Sequence, residues 1–283
     1  MVNIIECPRD AMQGLSDFIP TNVKAEYINK LLKVGFHTLD FGSFVSPKAI
    51  PQMRDTKEVL SQLDLSTTAT KLLAIVANVR GAQEAISHKE ISYIGFPLSV
   101  SETFQRRNTN KSINEALDEV AYILKLCHSH QKQFVVYLSM SFGNPYQEFS
   151  NADMVLEMAK KLHNMGVKII SFADTIGSAT VKDVEVLFEK ASKILSESEL
   201  GVHLHCHPSE AYQFAQTALN VGCKRIDSAL GGLGGCPMAK DDLTGNLATE
   251  SLVKALSDFQ GITPTLNLLE LQKANEFRQQ FIG

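Results

Sequence analysis

Short apolar runs alternate along the whole chain with longer stretches whose apolar positions recur at helical spacing. The runs Val2–Glu6, Phe36–Phe41, Lys71–Ala77, Ile91–Pro97, Gln133–Ser139, Lys168–Ala173, Gly201–Cys206 and Lys224–Ala229 read as eight strands. Helical patterns with recognisable ends lie between them. Tyr27, Ile28, Leu31 and Leu32 form one apolar face that closes at Gly35, and Ser112 with Glu115 three residues later reads as a capping box. Asn151 to Gly166 and Ser209 to Gly222 repeat the scheme, each ending at a glycine able to take the left-handed conformation of a helix C-terminus. Regular β–α alternation requires parallel strands with right-handed crossovers, and eight units at even spacing favour a closed barrel over an open doubly wound sheet. The expectation is an α/β fold, a (β/α)8 TIM barrel spanning residues 1–283 as one domain, with an additional C-terminal helical segment from about Ser251.

Composition narrows the partner more than the fold. A length of 283 residues suits one barrel, and 44% hydrophobic with 20% charged residues is ordinary globular material. A net charge of −4 holds no basic reserve for nucleic acid or an anionic membrane surface, which leaves a small molecule as the expected partner. The five cysteines, Cys7, Cys127, Cys206, Cys223 and Cys236, are widely spaced and form no C-x-x-C pair, which argues for a reducing compartment over a disulfide framework or structural zinc. With no charged, apolar leader at the start and no apolar run long enough to span a bilayer, the expected location is cytoplasmic.

In such barrels the reacting groups sit where strands end and in the loops that follow. His203-Leu204-His205-Cys206-His207 falls there on the seventh strand, and a period of two would point all three imidazoles one way. His205 and His207 at the strand exit form a ready pair of metal ligands, while His203 lies deeper and reads as a hydrogen-bonded interior residue. The first strand ends in Glu6-Cys7-Pro8-Arg9-Asp10, where Asp10 can supply a hard oxygen ligand and Arg9 fixed positive charge for an oxyanion. Asp40 is read as closing strand two and Asp174 as closing strand six; for Asp174 a helix N-cap role stands beside a catalytic one. After strand eight, Gly231-Gly232-Leu233-Gly234-Gly235-Cys236-Pro237 gives a sharply bending backbone with a free thiol as an acid/base candidate. It is no dinucleotide fingerprint, since the third glycine position falls on Pro237.

Together these pieces resemble 3-hydroxy-3-methylglutaryl-coenzyme A lyase, within the metallolyase group that carries an Arg-Asp pair on its first barrel strand. The matching residues are Pro8-Arg9-Asp10 with Gln13, Ser43-Phe44-Val45-Ser46-Pro47-Lys48, Asp174-Thr175-Ile176-Gly177, His205-Cys206-His207, and the glycine-rich run through Cys236 with Gly245-Asn246-Leu247-Ala248-Thr249-Glu250. The Arg-Asp and His-x-His pairs are shared with condensing synthases of the group; the Gly-Leu-Gly-Gly-Cys-Pro and Ser-Phe-Val-Ser-Pro-Lys stretches single out the lyase. The resemblance implies a divalent metal, Mg²⁺ or Mn²⁺, held by Asp10, His205, His207 and Asn246. It also implies an acyl-coenzyme A substrate cleaved to acetoacetate and acetyl-coenzyme A, with Arg9 stabilising the departing enolate, Cys236 moving a proton and Asp174 a partner in base catalysis. Gln13 and Lys48 fall on the substrate side, with the basic pair Arg106-Arg107 as further phosphate candidates. The family usually has glutamate where this chain has Asp40, glycine at Ala11 and aspartate at Pro208. A lyase for another 3-hydroxyacyl thioester therefore stands as an alternative, and a condensing synthase, which shares the barrel and the Arg-Asp and His-x-His pairs, as a second. The apolar stripe from Leu266 to Phe281 either pairs two copies as a homodimer or packs on the barrel.

Overall fold

Every strand of the sheet is parallel to its neighbours and the order around it is the order along the chain. The computed structural model describes residues 2–235, 244–259 and 265–282. Among these, β1 (Asn3–Glu6), β2 (Thr38–Ser43), β3 (Lys71–Ile75), β4 (Ile91–Ser99), β5 (Gln133–Ser139), β6 (Ile169–Asp174), β7 (Glu199–Leu204) and β8 (Arg225–Ser228) close into a barrel, with β8 pairing back onto β1. Helices fill the crossovers, among them Thr21–Leu32, Val79–Ile86, Ile113–Ser129, Ala152–Asn164, Val181–Ile194 and Ala211–Asn220. All eight expected strands are present, and the (β/α)8 barrel is the observed fold.

Alternation along each strand divides two cores. Outward residues such as Ile4, Leu72, Ile94, Val136, Ile170, Val202 and Ile226 meet the helices in one large apolar layer. Inward residues include the apolar cluster of Leu73, Val135, Tyr137 and Ile169. The barrel interior also holds polar groups: Ser171, Asp227 and a wholly buried Arg225. Gly201 makes room for that arginine, because a Cβ there would lie 3.1 Å from the Cβ of Arg225.

The expected caps form. Ser112 and Glu115 make the reciprocal capping box of Ile113–Ser129, and Asn151 caps Ala152–Asn164 by accepting from the backbone N–H of Met154. After β8, Thr249–Asp258 packs against Ala211–Asn220, and the additional helix Leu268–Arg278 packs against Thr21–Leu32. The Phe281 ring meets Tyr27 edge-on at 5.5 Å between centroids, so the C-terminal stripe lies largely on the barrel; only Leu268 and Leu269 of its large apolar residues stay exposed. No helix of the described residues is long and apolar enough to cross a membrane.

Candidate active site

The chain leaves β1 through Cys7 and enters a short helix, Pro8–Gln13, whose first turn buries Arg9 and Asp10. Proline suits this start because its missing N–H would have no helical partner there. Burying a guanidinium is tolerable only when its donors are matched, and here they are. Arg9 Nε donates to both oxygens of Asp40 at 3.2 and 3.0 Å, and Nη1 donates to Asp10 Oδ1 and Gln13 Oε1, each at 2.8 Å. The shorter Asp40 side chain reaches Arg9 directly, without a water, and the β2–β3 register shifts just beyond it, between Asp40 and Gly42. Asp40 was expected to close β2; it lies inside the strand instead, because pairing with β3 continues to Ser43. Burial pushes the Asp40 carboxyl up to about 6 against the pull of Arg9. Burial acts the same way on Asp10, but the Arg9 charge and the neighbouring imidazoles prevail and hold it well below the usual carboxylate range.

Asp10 is the hub of the site. Its Oδ1 accepts from Gln13 Nε2 and its Oδ2 from Asn246 Nδ2, both at 2.7 Å. His205 Nε2 and His203 Nε2 lie 3.7 and 3.9 Å from that same Oδ2, and 3.3 Å from each other. His203 Nδ1 is 3.1 Å from Asp227 Oδ2. The deep hydrogen-bonded position expected for His203 is therefore present, but it also faces the site.

The expectation that all three imidazoles share one direction fails at His207. β7 ends at Leu204, and His205 is held beyond it by a backbone bridge to Asn246, so the two-residue alternation stops there. His207 is exposed, its Nδ1 2.7 Å from Ser209 Oγ, and it stands outside the group formed by Asp10, His203 and His205. Asn246 is buried against Asp10 and also donates to the Leu233 carbonyl at 2.7 Å.

Asp174 closes β6 as expected. It accepts from the backbone N–H groups of Ser178 at 3.0 Å and Ala179 at 2.8 Å, which fixes the turn after the strand, and burial pushes its carboxyl up. Lys48 is exposed on the turn after β2 and does not line the cavity, although Val45, Ser46, Ala49 and Ile50 around it do. Of the basic pair, Arg107 borders the cavity and stacks on Tyr146, whereas Arg106 pairs with Glu102 at 2.8 Å. Cys236 lies outside the described residues. Glu6, which the motifs did not single out, is wholly buried; it accepts from the Leu230 N–H and Thr249 Oγ1, tying β1 to the segment after β8. A charged residue on the helix-facing side of a strand, in register with apolar Ile4, was the signal for it.

Arg9, Asp10, Gln13, His203 and His205 wall the polar side of one cavity of about 510 Å³, and Ile50, Phe104 and Pro97 its apolar side. The donor set fits a divalent cation. A carboxylate oxygen and two imidazole nitrogens converge with the Asn246 side chain beside them, so several lone pairs crowd a region that one positive ion would satisfy.

Known proteins resemble this chain over nearly its whole length. The HMGL-like family model matches residues 2–277. The human protein named 3-hydroxy-3-methylglutaryl-CoA lyase, cytoplasmic, is 33% identical over 98% of this chain and 74% of its own length. The mitochondrial hydroxymethylglutaryl-CoA lyase of Mus musculus is 36% identical over 98% and 84%. Among solved structures, an HMG-CoA lyase from Acinetobacter baumannii in complex with coenzyme A and 3-methylmalate superposes with a TM-score of 0.89 at 29% identity, covering 97% of this chain and 89% of that one.

Proposed function

The chain belongs to the HMGL-like family, and from that premise we infer that it is a hydroxymethylglutaryl-CoA lyase, a carbon–carbon lyase that yields acetoacetate and acetyl-coenzyme A. The observation that carries this reading is the convergence of Arg9, Asp10 and His205 on one cavity wall, with Asn246 buried against Asp10 behind it.

The reaction needs three things of the protein. The tertiary hydroxyl of the substrate must lose its proton, the carbon–carbon bond must break as that oxygen becomes a ketone, and the electron pair left on the thioester fragment must be stabilised and then protonated. A divalent ion, for which we propose Mg²⁺ or Mn²⁺, would be held by Asp10, His205, Asn246 and a turned His207, and would supply positive charge at the hydroxyl and lower its pKa. Arg9 provides the second charge. Its guanidinium is pinned by Asp40, Asp10 and Gln13, so it meets a developing enolate oxygen already oriented, with no reorganisation at the moment of reaction. We assign the closing proton transfer to Cys236. Both carboxylate oxygens of Asp174 accept from the backbone, and we give it the task of holding its loop against the cavity. Arg107 and Lys111 border the cavity and offer charge to coenzyme A phosphates, a better-placed pair than Lys48. We place the protein in the cytoplasm; the four cysteines among the described residues are unpaired, which suits a reducing compartment.

The test is acetyl-coenzyme A release from hydroxymethylglutaryl-coenzyme A with Mn²⁺ or Mg²⁺ and with chelator, for wild type and Arg9→Met. Release that needs metal and is lost in Arg9→Met supports the assignment. No release from folded, metal-loaded protein sinks it for this substrate.

A further inference from the structure

The barrel interior beneath Asp10 carries polar side chains that the reaction as described does not use: His203, Asp227, Arg225, Tyr137 and Ser171. Four of these five have polar side-chain atoms with no hydrogen-bond partner among the described residues, and only His203 reaches the cavity and the hub at Asp10 together. We propose that His203 is a further ligand of the cation in this site, oriented by Asp227; the proposal rests on the metal-dependent reading above.

Three observations carry it. First, Asp227 Oδ2 lies 3.1 Å from His203 Nδ1, and a carboxylate accepts but does not donate, so the ring proton belongs on Nδ1. Nε2 then presents a lone pair, the carboxylate–histidine arrangement that fixes the tautomer and ring plane of metal-bound imidazoles. Second, that lone pair points where others already converge. His203 Nε2 is 3.3 Å from His205 Nε2 and 3.9 Å from Asp10 Oδ2, and the three ligand atoms fall within 4.8 Å of one another. Third, the supporting carboxylate is itself backed by charge. Arg225 Nε stands 3.9 Å from Asp227 Oδ1, and the guanidinium lies over the Tyr93 ring. His207, two residues beyond His205, is turned to solvent and bonded to Ser209.

The deep imidazole lies between the carboxylates of Asp10 and Asp227, so it would add a nitrogen from the barrel interior to the set formed by Asp10 and His205. A proton on His205 Nε2 shared with His203 Nε2 is the competing account of their 3.3 Å separation. In that account His203 never touches the ion.

Counting nitrogens decides between the two. The full-length protein is loaded with Mn²⁺, and the imidazole couplings are read by electron–nuclear double resonance with ¹⁵N-labelled histidine, for wild type, His203→Ala, His203→Asn and Asp227→Asn. Mn²⁺ affinity is titrated in parallel, and thermal unfolding without metal checks that each variant is folded. The expected result is one nitrogen coupling fewer in both His203 variants, with affinity about 10–100-fold weaker. Asp227→Asn should keep every coupling and bind roughly tenfold more weakly. An unchanged nitrogen count in a folded His203 variant overturns the proposal, whether or not affinity falls, because His203 would then act only through its neighbours. If wild type turns substrate over and the count is unchanged, the lyase reading stands and this inference alone fails. If wild type binds no Mn²⁺ at all, both fail.

Discussion

A single buried arginine shows why the residue types at this site are not interchangeable. Arg9 is nearly solvent-free, and its fork is matched by Asp40, Asp10 and Gln13 together. Removing one charged partner leaves a buried cation under-compensated, which costs about 3 kcal/mol or more when no other carboxylate is near. Asp40→Asn keeps the shape and removes the charge, and Asp10 remains alongside, so a loss of about 2–3 kcal/mol of unfolding free energy in urea is expected, with a marked fall in kcat/KM. Wild-type stability in this variant would show that Asp10 alone anchors the guanidinium. Glu6 gives the pH counterpart. Burial pushes its carboxyl up to about 8, despite the bonds it accepts from Thr249 and Leu230. The folded state thus binds the Glu6 proton more tightly than the unfolded chain, where a glutamate carboxyl titrates near its ordinary 4.5. The contribution to stability is full below about 4.5, declines as pH rises, and is gone above about 8. Glu6→Gln mimics the neutral acid. The unfolding free energy of wild type should therefore drop relative to Glu6→Gln by several kcal/mol between about pH 4.5 and 8.5. Parallel pH curves would mean that Glu6 is ionised in the folded protein throughout.

At the scale of elements, the loop after β8 depends on having no side chain where it passes Asp10 and Asn246. Gly234 has φ +107°, and a Cβ there would collide with the Asn246 amide and lie 2.9 Å from the Asp10 carbonyl oxygen. Gly234→Ala should leave the circular dichroism spectrum intact while lowering Mn²⁺ affinity by about tenfold or more, since two expected ligands are displaced together. Unchanged affinity would show that Asn246 is not part of the metal set. The strands were legible because parallel strands covered on both faces are written as near-continuous apolar runs, and the helices because their caps and terminal glycines carry fixed chemistry. Gly35, Gly166 and Gly222 all adopt positive φ where the pattern placed helix ends. What the sequence pattern lacked is where a strand stops being a strand. The two-residue period held for His203 and His205 but broke at His207, because the bridge from His205 to Asn246 is a contact between segments about 40 residues apart that local spacing does not encode. Asp40 was legible as a site candidate from its expected place near a strand end and from the family resemblance; its direct bond to Arg9 depends on the β2–β3 register, which is set by pairing. The polar floor of Arg225, Tyr137 and Ser171 was not legible either, since each residue alone reads as an ordinary strand position.

Over the whole molecule, the site sits on the seam where the barrel closes. Asp10 follows β1, His205 leaves β7, and Asn246 comes after β8, the first and last of these lying 236 positions apart along the chain. The same seam is tied by Glu6 to Leu230 and Thr249, and by pairing of Asn3, Ile4, Ile5 and Glu6 with β8. A cation bound by Asp10, His205 and Asn246 would join chain ends that come together only in the closed barrel, so the unfolded chain cannot offer the same set. Its binding free energy should then appear as global stability. At a free Mn²⁺ concentration of about 100 times Kd the gain is about 2.7 kcal/mol, which for a domain of this size raises the melting temperature by roughly 5–10 °C. Chelator should reverse the shift completely, and Asp10→Ala should abolish it while the apo protein still melts cooperatively. A shift that survives in Asp10→Ala would place the stabilising ion elsewhere on the molecule, and would separate barrel closure from the chemistry assigned to its seam.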